Sequence, residues 1–354
     1  MKKENGKNYM NGCIMNKETV CFVAGKSGGH IIPCLTLAEQ HCTMNPHLNI
    51  LFFSSNTPLD KLIISNNKLI SQHIMLTLVS ANPTSFFNIF TIAWNTLYSF
   101  CISLFYLYKN SPAEIITTGG VVALPVCIAG FLLKIPITIY NLDAVPGKAI
   151  KALIPFATTI MVCFKNSQHF FPAQKCAFAP YPIRYSQTTV ATPQETKKTI
   201  EFDEHKKTIV VLGGSQGSVF LNSCIKEWVT SCAFAPQIQI IHQTGTADSI
   251  DWKNFYAQHG ITAHVFSYNP NLAPFYTVAD LTICRAGAGT LFEIEFFKKQ
   301  CLIIPLRSPT TTHQVDNARA ISQEYPHLFT WMDQRNIEED VTLFFCKVNE
   351  LLRK

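Results

Sequence analysis

The sequence lacks any C-x-x-C pair, although it contains 13 cysteines. Several of them stand inside apolar runs, namely Cys101, Cys127, Cys163, Cys284 and Cys301. Scattered cysteines of this kind are typical of free thiols in a reducing cytosol, and they argue against a disulfide framework or a zinc site. Carboxylates and histidines also form no cluster with metal-ligand spacing. We therefore expect neither a metal site nor a cofactor.

An apolar segment near the N-terminus and blocks of basic residues are also missing. Residues 1–18 are polar, so we expect a disordered leader there and no signal peptide. The net charge of +6 is modest and the Lys and Arg residues are dispersed. We therefore expect no nucleic-acid partner, whereas attraction to an anionic membrane surface is compatible with this charge.

Charged residues are absent from Gln72 to Tyr108, and the part from Phe86 to Leu107 is dense in aromatic and aliphatic residues. This part is long enough to span a bilayer. Interruptions by polar side chains and the α/β alternation on both sides disfavour a span; the polar residues are Asn88, Asn95, Ser99 and Ser103. Two alternatives stay open: a core helix, or a helix that lies in the membrane interface.

The length and patterning indicate two domains, because 354 residues of 47% hydrophobic composition can form two sizeable cores. Apolar runs that alternate with helical segments predict parallel strands, at Thr19–Ala24, Leu48–Ser54, Glu114–Thr118, Ile135–Tyr140 and Thr158–Phe164, and again at Thr208–Leu212, Ile238–His242, Ala263–Ser267, Leu281–Cys284 and Cys301–Leu306. This pattern predicts an α/β fold of two Rossmann-like, doubly wound domains that face a cleft. We place the first domain at 19–185, a polar linker at 186–205 and the second domain at 206–354, with a last helix able to pack back on the first domain.

A glycine-rich turn, Gly25–His30, follows the first predicted strand. The letters GKS suggest a phosphate-binding P-loop, but that motif needs a glycine where this chain has Val20. Such a turn instead gives a ligand close access to the backbone and places an imidazole at the mouth of the sheet. His30 is therefore the leading candidate for a catalytic base. The alternative is a histidine that caps the helix or bonds a backbone carbonyl.

Similar turns stand at Gly213–Ser218 and Arg285–Thr290 in the second half. Small residues at a helix start expose unpaired N–H groups, which attract anions. Glu293 follows the second turn by about one helical turn, near enough to bond ligand hydroxyls. The pattern favours a site for a nucleotide-sugar diphosphate, and tight strand–helix packing is the alternative.

The turns also occur in one fixed order: GKSGGH, TTGG, DAVPG, PIR, GGSQGS-x-x-LN, HQTG, CRAGAGT-x-x-E and HQ-x-x-NA. Because these motifs occur in this order, the chain from Thr19 to Ser322 resembles the MurG family of peripheral bacterial glycosyltransferases. The resemblance implies a B-type glycosyltransferase fold and an inverting, metal-independent transfer from UDP-N-acetylglucosamine, bound by the second domain. It implies an undecaprenyl-pyrophosphoryl-muramyl-peptide lipid as acceptor, converted from lipid I to lipid II for peptidoglycan synthesis. It also implies that the protein lies peripherally on the inner face of the bacterial cytoplasmic membrane, through Phe86–Leu107.

The family's motifs assign roles to individual residues of this chain. His30 matches the proposed base, and Glu293 matches the residue that binds the ribose. Residues matched to the donor and substrate are Ser27, Gly28 and Gly29 at the first turn, Asp143 near the sugar, Arg184, Ser215 and Gln216 near the phosphates, Asn269 beside the uracil, Gly287, Ala288, Gly289 and Thr290 at the diphosphate, and His313 and Gln314 at the sugar.

Three departures from the family pattern stand out. Lys26 adds a cation to the first turn, and Ala286 replaces a common serine. The usual H-E-Q-N is here Tyr140-Asn141-Leu142-Asp143, so Asp143 replaces an asparagine. These departures concern the acceptor and the rate more than the fold or the donor nucleotide. Two alternatives follow: a glycosyltransferase with another lipid acceptor, such as diacylglycerol, or a non-catalytic scaffold that binds a nucleotide sugar at the membrane.

Overall fold

The computed structural model describes residues 18–25, 27–65, 67–78, 86–186, 190–214, 216–231, 235–246, 248–307 and 313–353. Lys26, Ser215 and nearly all of the predicted leader lie outside these ranges.

The first domain is built on a parallel sheet, which has seven strands in the described part of the chain: β1 (Thr19–Val23), β2 (Asn49–Ser55), β3 (Gln72–Leu76), β4 (Glu114–Thr117), β5 (Ile137–Asn141), β6 (Thr159–Val162) and β7 (Cys176–Phe178). Their order is β3-β2-β1-β4-β5-β6-β7. The helices that connect them are α1 (Gly28–Met44), α2 (Pro58–Ile64), α3 (Phe86–Asn110), α4 (Ala123–Leu132) and α5 (Lys148–Leu153).

The second domain repeats this architecture with parallel strands β8 (Lys207–Leu212), β9 (Ile238–Gln243), β10 (Thr262–Phe266), β11 (Leu281–Cys284), β12 (Cys301–Ile303) and β13 (Phe329–Trp331), in the order β10-β9-β8-β11-β12-β13. The helices of this half are α6 (Pro193–Thr199), α7 (Val219–Thr230), α8 (Trp252–Gln258), α9 (Ala273–Val278), α10 (Ala288–Phe296), α11 (His313–Glu324), α12 (Gln334–Glu339) and α13 (Thr342–Arg353). Two doubly wound parallel sheets confirm the predicted fold class.

Both faces of each sheet are covered, which explains why the strands read as continuous apolar runs. Along β1, Cys21 and Val23 belong to one buried cluster, whereas Val20 and Phe22 belong to the cluster on the opposite face. This alternation follows from the two-residue period of a strand. Since parallel strands end at the same edge, the loops that follow them collect at one side of each sheet.

The two domains contact each other through a buried cluster that contains residues of both. The ring centroid of Phe292, on α10, lies 4.8 Å from that of Phe164 and 4.8 Å from that of Tyr181 in the first domain. All three side chains are buried. The loops at the carboxyl ends of the two sheets therefore meet at this contact.

Two elements lie at the ends of the predicted second domain. The last helix, α13, packs on the second sheet, because its Phe344 and Val348 are buried in one cluster with Ile209. The predicted linker contains α6, whose first turn is closed by a capping box between Thr192 and Glu195. The T-x-x-E spacing that forms this box is visible in the sequence.

The part from Phe86 to Leu107 lies in α3, which packs against α4. Ser99, Ser103 and Leu107 are buried, whereas a stripe along the helix is exposed: Trp94, Leu97, Tyr98, Phe105 and Tyr108. Of the helices in the described ranges, none combines the length and hydrophobicity that crossing a bilayer requires. The helix is thus half-buried, with an apolar outer face, rather than enclosed in the core.

Candidate active site

The first glycine turn joins β1 to α1 and carries His30 in the first helical turn. Ser27 is the N-cap residue in an extended conformation, and its side chain makes no capping hydrogen bond. The Thr118 hydroxyl donates to the His30 carbonyl at 2.8 Å, which fixes this backbone against the loop after β4. The Nδ1 atom of His30 is buried and has no hydrogen-bond partner among the residues that the structure describes. The alternative role, a ring that bonds a backbone carbonyl through Nδ1, therefore finds no support.

The loop after β4 can approach this turn only because it consists of glycines. Gly120 has a φ of +90°, and a Cβ added to it would lie 3.0 Å from the Gly25 carbonyl oxygen. Gly119 has a φ of +99°, and a Cβ there would lie 4.0 Å from the His30 ring. Side chains at these positions would be strained and crowded. The TTGG motif thus serves to bring two loops together beside His30.

Asp143 lies in the loop after β5, and its carboxylate contacts the second domain. Its Oδ1 accepts a hydrogen bond from Asn317 Nδ2 at 2.9 Å. The backbone of this loop is held within the first domain, because the Asn141 side chain donates to the Asp143 carbonyl at 2.7 Å. The described contacts therefore assign Asp143 an interdomain hydrogen bond, where the family resemblance had implied a contact with the donor's sugar.

The turn after β8 packs closely against the loop after β9. Gly217 has a φ of +79°, and a Cβ there would lie 2.5 Å from the Cα of Gly245. Gln216 is exposed. Ser218 caps α7, because the Leu221 N–H donates to its hydroxyl at 3.3 Å. Gln216 is thus exposed on the outer side of a turn whose backbone packs against Gly245.

A buried network centred on His242 supports this pair of loops. The Asn222 amide donates to the Thr244 carbonyl at 3.0 Å and to Asp248 Oδ2 at 2.7 Å. The Asn222 side-chain oxygen is therefore the atom that lies 3.1 Å from His242 Nε2. It accepts a hydrogen bond, so the proton of the neutral His242 ring is on Nε2. The other nitrogen, Nδ1, then accepts from the Tyr256 hydroxyl at 2.8 Å. Burial lowers the pKa of His242 to about 3, so the ring is neutral, although nearby Asp248 acts in the opposite direction.

The turn between β11 and α10 leaves a helix start without a side-chain cap. Gly287 is the N-cap residue, and the small residues Ala288, Gly289 and Thr290 form the first turn. A Cβ added to Gly289 would lie 3.2 Å from the Tyr181 hydroxyl, so the first domain approaches this helix start closely. Uncapped N–H groups at the start of a helix are a ready site for an anion.

Arg285, the first residue of this turn, has a role that the sequence did not reveal. Its Nη2 donates to the Ser218 hydroxyl at 2.8 Å, and its Nη1 donates to the Ile304 carbonyl at 3.0 Å. Burial lowers the pKa of its guanidinium to about 10, still well above neutral pH. Arg285 therefore connects the two glycine turns of the second domain by hydrogen bonds, and its positive charge lies next to both turns.

Glu293 and Arg184, two residues matched to the donor, are paired with each other. Arg184 Nε lies 3.2 Å from Glu293 Oε1, and the Tyr276 hydroxyl donates to Oε2 at 2.9 Å. Burial raises the pKa of the Glu293 carboxyl, and Arg184 and Tyr276 partly offset the rise. A ribose that bonds Glu293 must therefore compete with these protein partners.

The remaining matched residues begin or follow loops near these turns. His313 is exposed at the start of α11. The oxygen of the Gln314 side chain accepts from the backbone N–H groups of Ala286, at 3.2 Å, and Leu306, at 2.9 Å. Only its NH₂ group can therefore serve a sugar hydroxyl. Asn269 accepts from the Asn271 N–H at 2.9 Å and so forms a local turn.

Comparison with known proteins places both domains in one family. Residues 20–162 match the glycosyltransferase family 28 N-terminal domain, and residues 208–337 match the glycosyltransferase family 28 C-terminal domain. A protein of Halothermothrix orenii is 31% identical over 311 residues, which cover 85% of this chain and 82% of that protein. One of Thermodesulfovibrio yellowstonii is 30% identical over 307 residues, with coverage of 85% and 82%. Both carry the name UDP-N-acetylglucosamine--N-acetylmuramyl-(pentapeptide) pyrophosphoryl-undecaprenol N-acetylglucosamine transferase.

Among solved structures, the crystal structure of MurG from Acinetobacter baumannii is similar over 95% of this chain and 92% of that chain. The TM-score is 0.72 and the sequence identity is 22%. This likeness confirms the predicted B-type fold, with its two domains in contact.

Proposed function

Since the chain belongs to glycosyltransferase family 28, we propose that it transfers N-acetylglucosamine from UDP-N-acetylglucosamine to the muramyl sugar of an undecaprenyl-pyrophosphoryl-muramyl-peptide lipid. The product would be lipid II for peptidoglycan synthesis. The observation that carries the proposal is the uncapped start of α10, which lies beside the Arg184–Glu293 pair and against the first domain. A diphosphate on this helix start would face the loops that surround His30.

The donor half of the proposed site is the second domain. The first-turn N–H groups of α10 and the turn at Gln216 would bind the diphosphate, because each lies at a glycine-rich turn before a helix. The ribose would bond Glu293 and displace part of its contact with Arg184, which would release the guanidinium toward a phosphate. His313 and the NH₂ group of Gln314 would then bind the sugar.

The chemistry follows from these positions. His30 would take the proton from the acceptor's sugar hydroxyl, whose oxygen attacks the anomeric carbon and forms the new glycosidic bond. The bond between that carbon and the diphosphate breaks, and its electron pair leaves with UDP. Backbone N–H groups at the start of α10 would stabilise the charge that develops on the leaving group. A single displacement of this kind inverts the anomeric configuration.

The outer face of α3 supports a lipid acceptor. Trp94 is 62% and Tyr108 is 75% exposed, although both are large aromatic residues. Phe131 and Leu132, at the end of the adjacent α4, are exposed too, and Lys134 follows them. Aromatic side chains beside a cation suit the interface of an anionic membrane. We assign this face to the inner surface of the cytoplasmic membrane, where the lipid acceptor would be reached.

A second candidate is the same transfer to another lipid acceptor, such as diacylglycerol. It is favoured by the departures at Tyr140–Asp143, which lie in the domain assigned to the acceptor. The non-catalytic scaffold remains the candidate in which a donor binds and no transfer follows.

An acceptor competition separates these candidates. Labelled UDP-N-acetylglucosamine is incubated with a soluble lipid I analogue and diacylglycerol together, with His30→Ala as the inactive control. We expect label in the β-linked disaccharide product alone. Label in a glycosylated diacylglycerol would support the second candidate, and no labelled product from either acceptor would support the scaffold.

A further inference from the structure

Asn317, on α11, is a fully buried polar residue that the proposed mechanism does not use. Its side-chain oxygen accepts from the Ala144 N–H at 2.8 Å, in the first domain. Its nitrogen donates to Asp143 Oδ1 at 2.9 Å, in the first domain, and to the Ala286 carbonyl at 3.2 Å, in the second. One amide group thus joins both domains at the same point.

The orientation of this amide is fixed by its partners. A carboxylate oxygen and a carbonyl oxygen can only accept, and a backbone N–H can only donate. Asn317 must therefore direct its NH₂ group to Asp143 and Ala286 and its oxygen to Ala144. Replacing the NH₂ group or the oxygen of this amide would leave buried polar groups without partners, which lowers the free energy of unfolding.

Both backbone polar groups of Ala286 are held by side chains of α11. Its carbonyl accepts from Asn317, and its N–H donates to Gln314, one helical turn earlier on the same face. Gly287 and the first turn of α10 follow directly. A rotation of the peptide between Ala286 and Gly287 would therefore redirect the N–H groups at the start of α10.

The first-domain partners are equally well anchored. The Ser167 hydroxyl donates to the Ala144 carbonyl at 2.9 Å, and Asn141 donates to the Asp143 carbonyl at 2.7 Å. A shift of the first domain consequently moves the Asp143–Ala144 loop as one unit. Asn317 joins this loop to the Ala286 carbonyl.

We infer that Asn317 is a positioning residue that couples docking of the first domain to the geometry of the anion site at the start of α10. The inference rests on the proposed function, because it takes the diphosphate of a nucleotide as the anion. In this role Asp143 acts on the donor through Asn317, and not by touching the sugar.

The test uses UDP itself, which lacks the sugar. If Asp143 only contacted the sugar, Asp143→Ala would leave the affinity for UDP unchanged. Coupling through Asn317 predicts instead that the dissociation constant of UDP, measured by calorimetry, rises about three- to tenfold. The reason is that part of the free energy of the charge-assisted hydrogen bond between Asp143 and Asn317 contributes to UDP binding. Asp143→Asn keeps an acceptor for Asn317 and should bind UDP within about twofold of the wild type.

A double-mutant cycle then identifies the route of the coupling. Asn317→Ala should weaken UDP binding about tenfold, and adding Asp143→Ala to it should cause no further loss. Glu324→Ala is the matched control, because it removes another interdomain contact of α11, the 3.1 Å pair with exposed Lys165. We expect this control to bind UDP like the wild type.

Two results would overturn the inference: unchanged UDP affinity in Asp143→Ala, or additive losses in the double variant. Thermal unfolding of each variant shows whether it is folded. If Asn317→Ala does not fold, the contrast between Asp143→Ala and Asp143→Asn decides, and equal affinities of those two variants refute the coupling. Failure of the wild type to bind UDP would refute the proposed function as well.

Discussion

Lowering the pH should destabilise this protein through His242 in particular. The folded protein holds His242 neutral, with its pKa lowered to about 3 by burial. In the unfolded chain a histidine has a pKa of about 6.5. Below that value the unfolded state takes up a proton that the folded state does not. The contribution of His242 to stability is therefore fully present above pH 6.5 and is lost as the pH falls toward 3.

The size of the loss follows from the difference between the two states. Between pH 7 and pH 5 the unfolded histidine becomes almost fully protonated, whereas the buried one does not. At about 1.4 kcal/mol per pH unit, this lowers the free energy of unfolding by about 2 kcal/mol. The effect should reach the loops at Gly217 and Gly245 first, because Asn222 bonds both His242 and the Thr244 carbonyl.

Urea unfolding at pH 7 and pH 5 measures this loss, with His242→Gln as the comparison. Glutamine offers an N–H and an oxygen in place of the two ring nitrogens but cannot titrate. Every other group titrates in both proteins, so the difference between their pH dependences isolates His242. We expect the wild type to lose about 2 kcal/mol more than the variant. Equal losses in the two proteins would refute this account of His242.

Three further predictions concern the proposed site and surface. His30→Ala should lower the turnover rate by roughly 10²–10⁴ with UDP affinity nearly unchanged, and near-normal turnover would reject the assignment of His30 as base. Glu293→Gln should weaken UDP binding about tenfold by calorimetry, and the two proteins should bind equally a UDP analogue whose ribose lacks its hydroxyls. Equal affinity of the variant and the wild type for UDP would reject the ribose contact. Trp94→Asp should release the protein from anionic liposomes in a sedimentation assay, whereas Met44→Asp, at an equally exposed apolar site on α1, should not; release by both variants would argue against α3 as the membrane face.

The parallel sheets were predictable because the longer strands are apolar runs, and because glycine turns follow β1, β4, β8 and β11. The strands that sequence reasoning missed are β3, β7 and β13, of which the last two have three residues each. Runs this short carry no recognisable period. The family expected from the order of the motifs is confirmed, because several turns in a fixed order are far more specific than one.

The site was only partly predictable, since its contacts join residues that are distant in sequence. Nothing local to Arg184 or Glu293 indicates that they pair across 109 positions. The HQ-x-x-NA motif contains Asn317, but its role depends on Asp143 in the other domain. Sequence patterns predict which turns expose backbone groups, whereas the partners of a buried amide follow from how the two domains dock.

The most direct test of the proposed transfer follows UDP release and lipid product in the same reaction. Purified protein is mixed with UDP-N-acetylglucosamine and a lipid I analogue, and both products are quantified over time. We expect one UDP for each disaccharide-lipid, an inverted anomeric configuration at the new bond, and almost no UDP when the acceptor is omitted. Tight donor binding with no disaccharide-lipid formed, or UDP release that does not depend on the acceptor, would contradict the proposed function.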